Sequence, residues 1–500
     1  MQDVMLIFDL GKSNKKMLVY DENLQLLQQS QTMIPEKEEA SGYLVDDVPA
    51  IWQWMAQEVE TLHRSRQFRL RAMNITTFGA TIAHLNEGGA LAVPVISYAH
   101  DPGEQVDRAF REWMENLPGG FARHATPPLP QFLNVGKQLF YLRRRQPEIA
   151  NRIHTSLFLP QYFVYKLSGQ KLTEPTSYGC HTGLWDFQQM RPSAAALSGL
   201  DWREKMPPLA LPAETAFPLA GELATQLNPD APIWVGSGLH DSSSALVPYL
   251  LALKEGFALI STGTWIIILN PDARFRLTEE DLQRDRLYYL TPDARPVRAA
   301  RLFAGREHER QLQRIEKHFG KKPDTQHLDI ERFLPEFFAE TRPRGLEPEV
   351  LPGSGPFPNR PAGEWDLSAF AHAEEAYARL CLDLAVLTDY CFSEVASEKT
   401  QRVVIDGGFA KNPWFVKVLA MLMQPRQVFT AEVPQATSLG AAMLIQPHWS
   451  GAPIDAEAVL NLRPVAAKPL PGLRVYAEHF LARWESLEAQ HRNTQRGAQT

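Results

Sequence analysis

One pattern occurs twice in this chain, and it limits the possible folds more than any other feature. Val4 to Phe8 is a short apolar run, Asp9-Leu10-Gly11-Lys12-Ser13-Asn14 is a polar turn, and Met17 to Tyr20 is a second apolar run closed by Asp21-Glu22-Asn23. Short apolar runs bounded by such turns read as buried strands. Phe257 to Ile260, the turn Ser261-Thr262-Gly263-Thr264 and the run Trp265 to Leu269 repeat the arrangement about half a chain later. Laid side by side, FDLGK and ISTGT bring Gly11 opposite Gly263. Two such strand–turn–strand units predict two similar domains, with a boundary near Val247 to Glu255. The length of 500 residues agrees, because a single hydrophobic core stops growing well short of it.

The segments around these hairpins alternate strands with helices. Val48, Ile51, Trp52, Met55, Val59 and Leu62 recur at helical spacing, and Ala72 to Thr76 returns to a strand. Ala376, Tyr377, Leu380, Leu384, Leu387 and Cys391 form one face of a long helix. Val403 to Ile405 reads as a buried strand, then Asp406-Gly407-Gly408-Phe409, then Asn412 as an N-cap with Pro413 in the first turn. The expectation is an α/β protein with domains at 1–247 and 248–485 and a polar tail at 486–500. The last dozen residues are expected to be disordered, and the Pro- and Gly-rich stretch 341–362 to be a long surface loop.

Charge and composition exclude several classes of partner. The formal net charge is −7 and there is no basic tail or stripe, which argues against nucleic acid. The Lys/Arg clusters are short: Lys12, Lys15 and Lys16, and Arg143 to Arg145 at what reads as a solvated helix end. Cys180, Cys381 and Cys391 do not fall at zinc-ligand spacing, and the last two read as small core residues. The opening apolar run is too short for a signal peptide and is broken by Asp3 and Asp9; no stretch reaches the length of a membrane span. A cytoplasmic protein acting on a small molecule is expected, with no membrane partner and a homodimer left open.

Four turns are candidates for chemistry. Gly11-Lys12-Ser13 invites a P-loop reading that fails, since the required earlier glycine is Leu6 and a strand, not a helix, follows the lysine. What remains is a tight hairpin whose backbone N–H groups can approach an anion. Ser261-Thr262-Gly263-Thr264 is a second such turn, with three hydroxyls as a phosphate clamp. Gly236-Ser237-Gly238-Leu239-His240-Asp241 follows an apolar run, so Asp241 stands at a strand end as a proton acceptor for a hydroxyl, and also as the cap of the next helix. Gly407-Gly408 before a capped helix suits a nucleotide.

Taken in order, these motifs resemble the FGGY carbohydrate kinases over nearly the whole chain. The resemblance implies an actin-like ATPase architecture: two ribonuclease-H-like α/β domains with a central cleft. It implies ATP and Mg²⁺ as cofactors and a small sugar as substrate. Asp9 would hold the metal through water, Asp241 of Gly238-Leu239-His240-Asp241 would be the catalytic base, and His240 would lie beside the sugar. Gly11, Lys12, Ser13 and Asn14 correspond to the first phosphate motif and Ser261, Thr262, Gly263 and Thr264 to the second. Gly407, Gly408 and Asn412 correspond to the adenosine motif. Gln435 to Ala442 resembles a late Glu-x-x-x-x-Gly-Ala-Ala motif, with Gln435 in place of glutamate. Within the family the chain looks closest to L-fuculokinase and L-rhamnulokinase, and Ile75-Thr76-Thr77-Phe78-Gly79 carries that likeness. On this basis Thr77, Phe78, Gly79 and Thr81 are expected at the sugar. Those kinases carry Val-Asp where Ala80-Thr81 stand, so a charged acceptor for sugar hydroxyls is replaced by a neutral one. Lys12 is unusual for the family, and the segment Phe303 to Glu309 falls where the family lines the cleft, with no role assigned to its residues. The expectation is phosphorylation of a ketose of the L-fuculose/L-rhamnulose type. Another acceptor, a pentulose or polyol, and a non-catalytic actin-like ATP-binding protein stand as alternatives.

Overall fold

The computed structural model describes residues 1–325, 329–340 and 344–497. The chain forms two compact units. Unit 1 comprises Met1–Ala252, Tyr288–Pro296 and Pro434–Ala456; unit 2 comprises Leu253–Leu287, Val297–Val433 and Glu457–Thr500. The units are therefore interleaved along the sequence rather than consecutive.

The first half opens with the hairpin β1 (Gln2–Leu10) and β2 (Asn14–Asp21), followed by β3 (Leu26–Met33). Helix α1 (Val48–Arg64) starts where Asp47 accepts a hydrogen bond from the Ala50 N–H, and it buries Val48, Ile51, Met55, Val59 and Leu62. Strand β4 (Phe68–Thr77) then runs parallel to β1. After an insertion of helices and short strand pairs come β5 (Ala216–Pro218), β6 (Trp234–Gly236), β7 (Leu239–His240) and α2 (Asp241–Leu253). The sheet order is β5-β6-β4-β1-β2-β3, with β7 also on β4. β1 carries an unbroken apolar run, Val4 to Phe8, because both of its faces are covered.

Unit 2 repeats the plan. β8 (Phe257–Thr262) and β9 (Ile266–Asn270) form the hairpin, and β10 (Arg286–Leu290), of which Tyr288–Leu290 count with unit 1, and β11 (Pro296–Leu302) extend the antiparallel side. Helices α3 (Ala304–Phe319) and α4 (Ala373–Val395) follow. Strand β12 (Arg402–Gly407) lies parallel to β8, as β4 does to β1. Helix α5 (Pro413–Leu422) begins under its Asn412 cap, and β13 (Gln427–Thr430) lies parallel to β12. Helix α6 (Ala436–Ile445) returns to unit 1, and α7 (Leu473–Gly497) ends the described chain. Gly11 and Gly263 are each the first residue past the strand, so the sequence repeat marks a structural one.

Three expectations change. The polar end of the chain is not disordered up to Gly497: it continues α7, whose Tyr476, Phe480 and Trp484 are buried in the unit 2 core. The stretch 341–362 begins with three residues outside the described set; from Arg344 on it has no helix or strand, yet it is packed down rather than lying on the surface. Leu346, Leu351 and Phe357 are buried, and the Glu307 carboxylate accepts hydrogen bonds from the N–H groups of Glu349, Val350 and Leu351. That buried carboxylate gives the 303–309 segment a structural task. Helix α4 is buried nearly all round rather than along one face. Among the described residues, no helix is long and apolar enough to cross a membrane.

Candidate active site

In unit 1 the candidate residues collect at the carboxyl ends of adjacent parallel strands, where open α/β sheets bind their ligands. The register sets Asp9 of β1 beside Thr76 of β4, and Leu239 of β7 beside the same Thr76. His240 pairs with Thr77. Asp9, Thr77 and His240–Asp241 are thus brought to one edge by strand pairing alone.

Asp241 is the first residue of α2, and a third of its side chain is exposed. Its Oδ1 accepts from the Ser242 N–H at 2.6 Å and from the Ser242 hydroxyl at 3.2 Å, and lies 3.0 Å from His240 Nε2. Burial pushes the carboxyl pKa up, but the His240 charge and these hydrogen bonds outweigh it and leave it below the ordinary value. Burial works against a charged His240 ring, yet Cys180 and the Asp241 carboxylate hold its pKa well above the usual value. The imidazole is fixed from both sides. It stacks on Tyr289 with 6.1 Å between ring centres, and a Cβ added at Gly79 would lie 3.0 Å from its Cδ2 and 2.4 Å from Cys180 Sγ. Gly79 is therefore required by close packing. Tyr289 comes from the short 288–296 return of the chain into unit 1, which no local motif signals.

Asp9 has a pKa raised to about 6, first by burial and then by the charge of Asp241, with Lys16 opposing. A buried carboxylate whose ionisation a second carboxylate opposes makes a place for a cation. Among the described residues no group of three or more His, Cys, Asp or Glu forms a ready metal cage. The donor set of one or two carboxylates suits Mg²⁺, which is bound that way with phosphate oxygens and water as its other ligands. Lys16 Nζ donates to Gln435 Oε1 at 3.0 Å, so the glutamine keeps an acceptor for that lysine. Gly440-Ala441-Ala442 is a packing motif: a Cβ at Gly440 would lie 1.9 Å from the Ser244 carbonyl, and Asn74 Nδ2 donates to the Ala441 carbonyl.

Other residues behave differently from expectation. Lys12 does not stand over the open turn. Its Nζ donates to Asp46 at 2.7 Å and to Ser97 at 2.9 Å and pairs with Glu36 at 2.7 Å. With its donors taken, Lys12 is held in a part-buried ion pair rather than directed at a phosphate or at solvent. Asn14 is tied to Gln31, and Ser13 is exposed. The Thr77 hydroxyl donates to the Phe78 carbonyl, and buried Thr81 makes a long bond of 3.4 Å to the Gly79 carbonyl.

In unit 2 a cavity of about 400 Å³ opens beside the second turn; its lining includes Gly263, Thr264, Gly305, Tyr377, Gly408 and Asn412. Thr262 is committed to the fold: it donates to the Asp406 carbonyl at 2.6 Å and accepts from the Phe409 N–H at 2.9 Å. Gly407 has φ +94°, and a Cβ there would lie 2.0 Å from the Thr262 carbonyl. Only glycine fits this close crossing of β8 and β12. Ser261, Gly263 and Thr264 remain exposed. Asn412 caps α5 by accepting from the Trp414 and Phe415 N–H groups at 3.1 Å, and its Nδ2 donates to the Tyr377 hydroxyl at 3.0 Å. Sequence reasoning singled out the 303–309 segment but gave no role to Gly305, whose would-be Cβ lies 1.9 Å from the Gly263 carbonyl and which lets the start of α3 approach the turn. It likewise gave none to His308, which lines the same cavity and is kept neutral by burial, its pKa lowered to about 4. A glycine-lined cavity at two helix starts has the form of a nucleotide phosphate site.

Comparison with known proteins agrees with both halves. Residues 4–248 match the model of the FGGY family of carbohydrate kinases, N-terminal domain, and residues 254–453 match that of carbohydrate kinase FGGY, C-terminal domain. The chain belongs to the FGGY carbohydrate kinase family. A carbohydrate kinase structure from Novosphingobium aromaticivorans is 28% identical, with a TM-score of 0.80 over 96% of this chain and 99% of that one. A ligand-bound xylulose kinase structure from Lactobacillus acidophilus, 15% identical with a TM-score of 0.72 over 99% of this FGGY chain and 98% of that one, shares the fold. The L-fuculokinase of Haemophilus influenzae is 25% identical over 303 residues, 56% of this chain and 61% of that protein. The rhamnulokinase of Halalkalibacterium halodurans is 24% identical over 53% of this chain and 55% of its own length. The chain thus spans only about 55–61% of the length of these curated relatives.

Proposed function

We propose that this protein transfers the γ-phosphate of ATP to a hydroxyl of a ketose sugar of the L-fuculose/L-rhamnulose kind, with Asp241 as the base. The observation that supports this most is the Asp241 carboxylate, part-exposed, oriented by Ser242 and His240, and electrostatically linked to Asp9. Phosphoryl transfer asks little covalent chemistry of a protein; it needs positioning, charge neutralisation and a proton acceptor. Asp241 accepts the proton of the attacking hydroxyl. His240, pinned by Tyr289 and Gly79, fixes the direction in which that carboxylate points. Asp9 is the residue that would hold Mg²⁺, which supplies charge neutralisation at the phosphates when bound. Gly263 and Thr264 offer a backbone turn to phosphate, and Asn412, Tyr377 and Gly408 line the space for the nucleoside. Phe78 and Gly79 stand at the acceptor side.

The substitution of Ala80-Thr81 for Val-Asp favours a second reading of the acceptor as a pentulose or polyol. ADP release on a panel of ketohexoses, pentuloses and polyols, with ATP and Mg²⁺, tests both readings. Sugar-dependent turnover with a ketose is the expected result. Nucleotide binding without turnover on any acceptor would support an ATP-binding protein that has lost catalysis.

A further inference from the structure

The two seven-stranded sheets have four end strands, and three of them are guarded against pairing with another chain. β5 is three residues long and ends in Pro218. The sheet built on β8 ends on one side in the two-residue strand Arg463–Pro464. On the other side it ends in β10, whose Arg286 pairs with Asp281 and Glu394 and whose Leu287, Tyr288, Tyr289 and Leu290 are buried. Short length, proline, charge and burial are the usual means of blunting a strand edge, which otherwise offers a row of free N–H and C=O groups.

β3 has none of these. It is the last strand of its sheet, eight residues long, and it reads Leu26-Leu27-Gln28-Gln29-Ser30-Gln31-Thr32-Met33, with no charge and no proline. Six of the eight residues are exposed, among them Leu26 at 40%, Leu27 at 38% and Met33 at 76%. Its pairing with β2 is irregular only near its start, at Val19/Tyr20, so Gln28 to Met33 form a regular ladder. Alternate residues of that ladder turn their backbone groups outward.

The sequence of this edge is complementary to itself. When two copies of one strand pair antiparallel about a two-fold axis normal to the sheet, residues of the same face oppose each other, and alternate residues share a face. With Ser30 on the axis, Gln29 faces Gln31, Gln28 faces Thr32 and Leu27 faces Met33 of the other copy. Every facing pair is then polar with polar or apolar with apolar, and no like charges meet. Moving the axis to Gln29 or to Gln31 would set Leu27 against Gln31 or Met33 against Gln29. We propose that β3 is a self-association edge, and that two copies of this chain join their unit 1 sheets into one continuous sheet across a two-fold axis at Ser30. A second copy is the occupant because the matching pattern lies within the strand itself. A strand edge is a small interface, so the dimer is a reversible one with a Kd on the order of 10 µM.

Sedimentation of the full chain from about 1 to 100 µM tests this, and the mass should rise from 56.5 kDa toward twice that value. Leu27→Lys combined with Met33→Lys places like charges opposite each other at both ends of the paired strands and should raise Kd at least about 10-fold. Leu27→Glu combined with Met33→Glu should do the same. Both positions are exposed, so each double variant should keep the wild-type unfolding transition. Mixed in equal amounts, the Lys and Glu variants should associate with a Kd within about 3-fold of wild type, because positions 27 and 33 face each other across the axis. Should a double variant fail to fold, Met33→Lys alone, at the most open position of the strand, carries the same comparison. A wild-type chain that stays at 56.5 kDa up to about 100 µM would overturn the proposal. So would a Kd unchanged by the Lys substitutions, or Lys and Glu variants that do not combine when mixed.

Discussion

The turn after β1 and the turn after β8 hold the same place in their sheets, each between an antiparallel partner and a parallel neighbour. The first hairpin carries Asp9, Lys12, Lys15 and Lys16 in and beside its turn; the same span of the second carries Ser261, Thr262, Gly263 and Thr264 and then apolar residues, with no charge. The first is locked by its own side chains, through Lys12 to Asp46 and through Lys16 to Gln435. In the second, only Thr262 is locked, while Ser261, Gly263 and Thr264 stay open. On the proposed function, one hairpin geometry serves two purposes: surrounding charge fixes the turn beside the carboxylate, and the turn offered to a phosphate is left bare.

The most damaging way to probe this comparison is at Asp9. Asp9→Ala is expected to cut Mg²⁺-dependent turnover by about 10²-fold or more while thermal unfolding changes little, because the residue serves charge organisation rather than the core. Undiminished activity after chelation of divalent ions would contradict the role.

The two glycines give a sharper contrast. A Cβ at Gly11 would lie 2.9 Å from the Asn14 carbonyl, whereas at Gly263 its nearest neighbour is 3.9 Å away. Gly11→Ala should therefore destabilise the fold by about 1–3 kcal/mol. Gly263→Ala should leave stability within about 0.5 kcal/mol. It should instead weaken ATP binding by about 5- to 10-fold, since what its bareness admits is a ligand. Denaturant unfolding and nucleotide titration separate the two; a Gly263→Ala protein with unchanged ATP affinity breaks the comparison.

A smaller effect separates a buried histidine of unit 1 from a half-buried one of unit 2. Burial lowers His84 of unit 1 to a pKa of about 3 and His308 of unit 2 to about 4, with Lys205 adding to the first and Glu309 opposing the second. Both folded values lie below the unfolded value near 6.5. Their contribution is complete above that pH and is lost as pH falls toward the folded values. Each group should give a slope of about 1.4 kcal/mol per pH unit within its window. Unfolding free energy measured from pH 7 to 5 should flatten by about one proton in His84→Gln and again in His308→Gln. An unaltered slope in either variant removes that histidine from the account.

Much of the scaffold was legible because strand ends and turns leave local marks. Asp9-Leu10-Gly11 and Leu239-His240-Asp241 were recognisable as strand ends, and pairing both strands to β4 suffices to bring Asp9 and Asp241 to one edge. Asn412-Pro413 announced its helix by capping chemistry. What stayed hidden depends on distant segments. Asp46 and Glu36 meet Lys12 from more than twenty positions away in sequence. Tyr289 reaches His240 from the other half of the chain. The glycine at 305 looks ordinary until its helix is laid against the Gly263 turn. Glu307 could have signalled its anchoring role only by being an acid in the first turn of a helix, a mark shared by many surface residues.

The central claim is a division of labour, with the base in unit 1 and the nucleotide turn in unit 2, and Asp241→Asn tests it most directly. Sugar-dependent ADP release and ATP binding are measured on the same preparation of that variant. Turnover should fall by at least about 10²-fold while the Kd for ATP stays at the wild-type value. Turnover near wild type, or an ATP affinity that falls together with turnover, would contradict it.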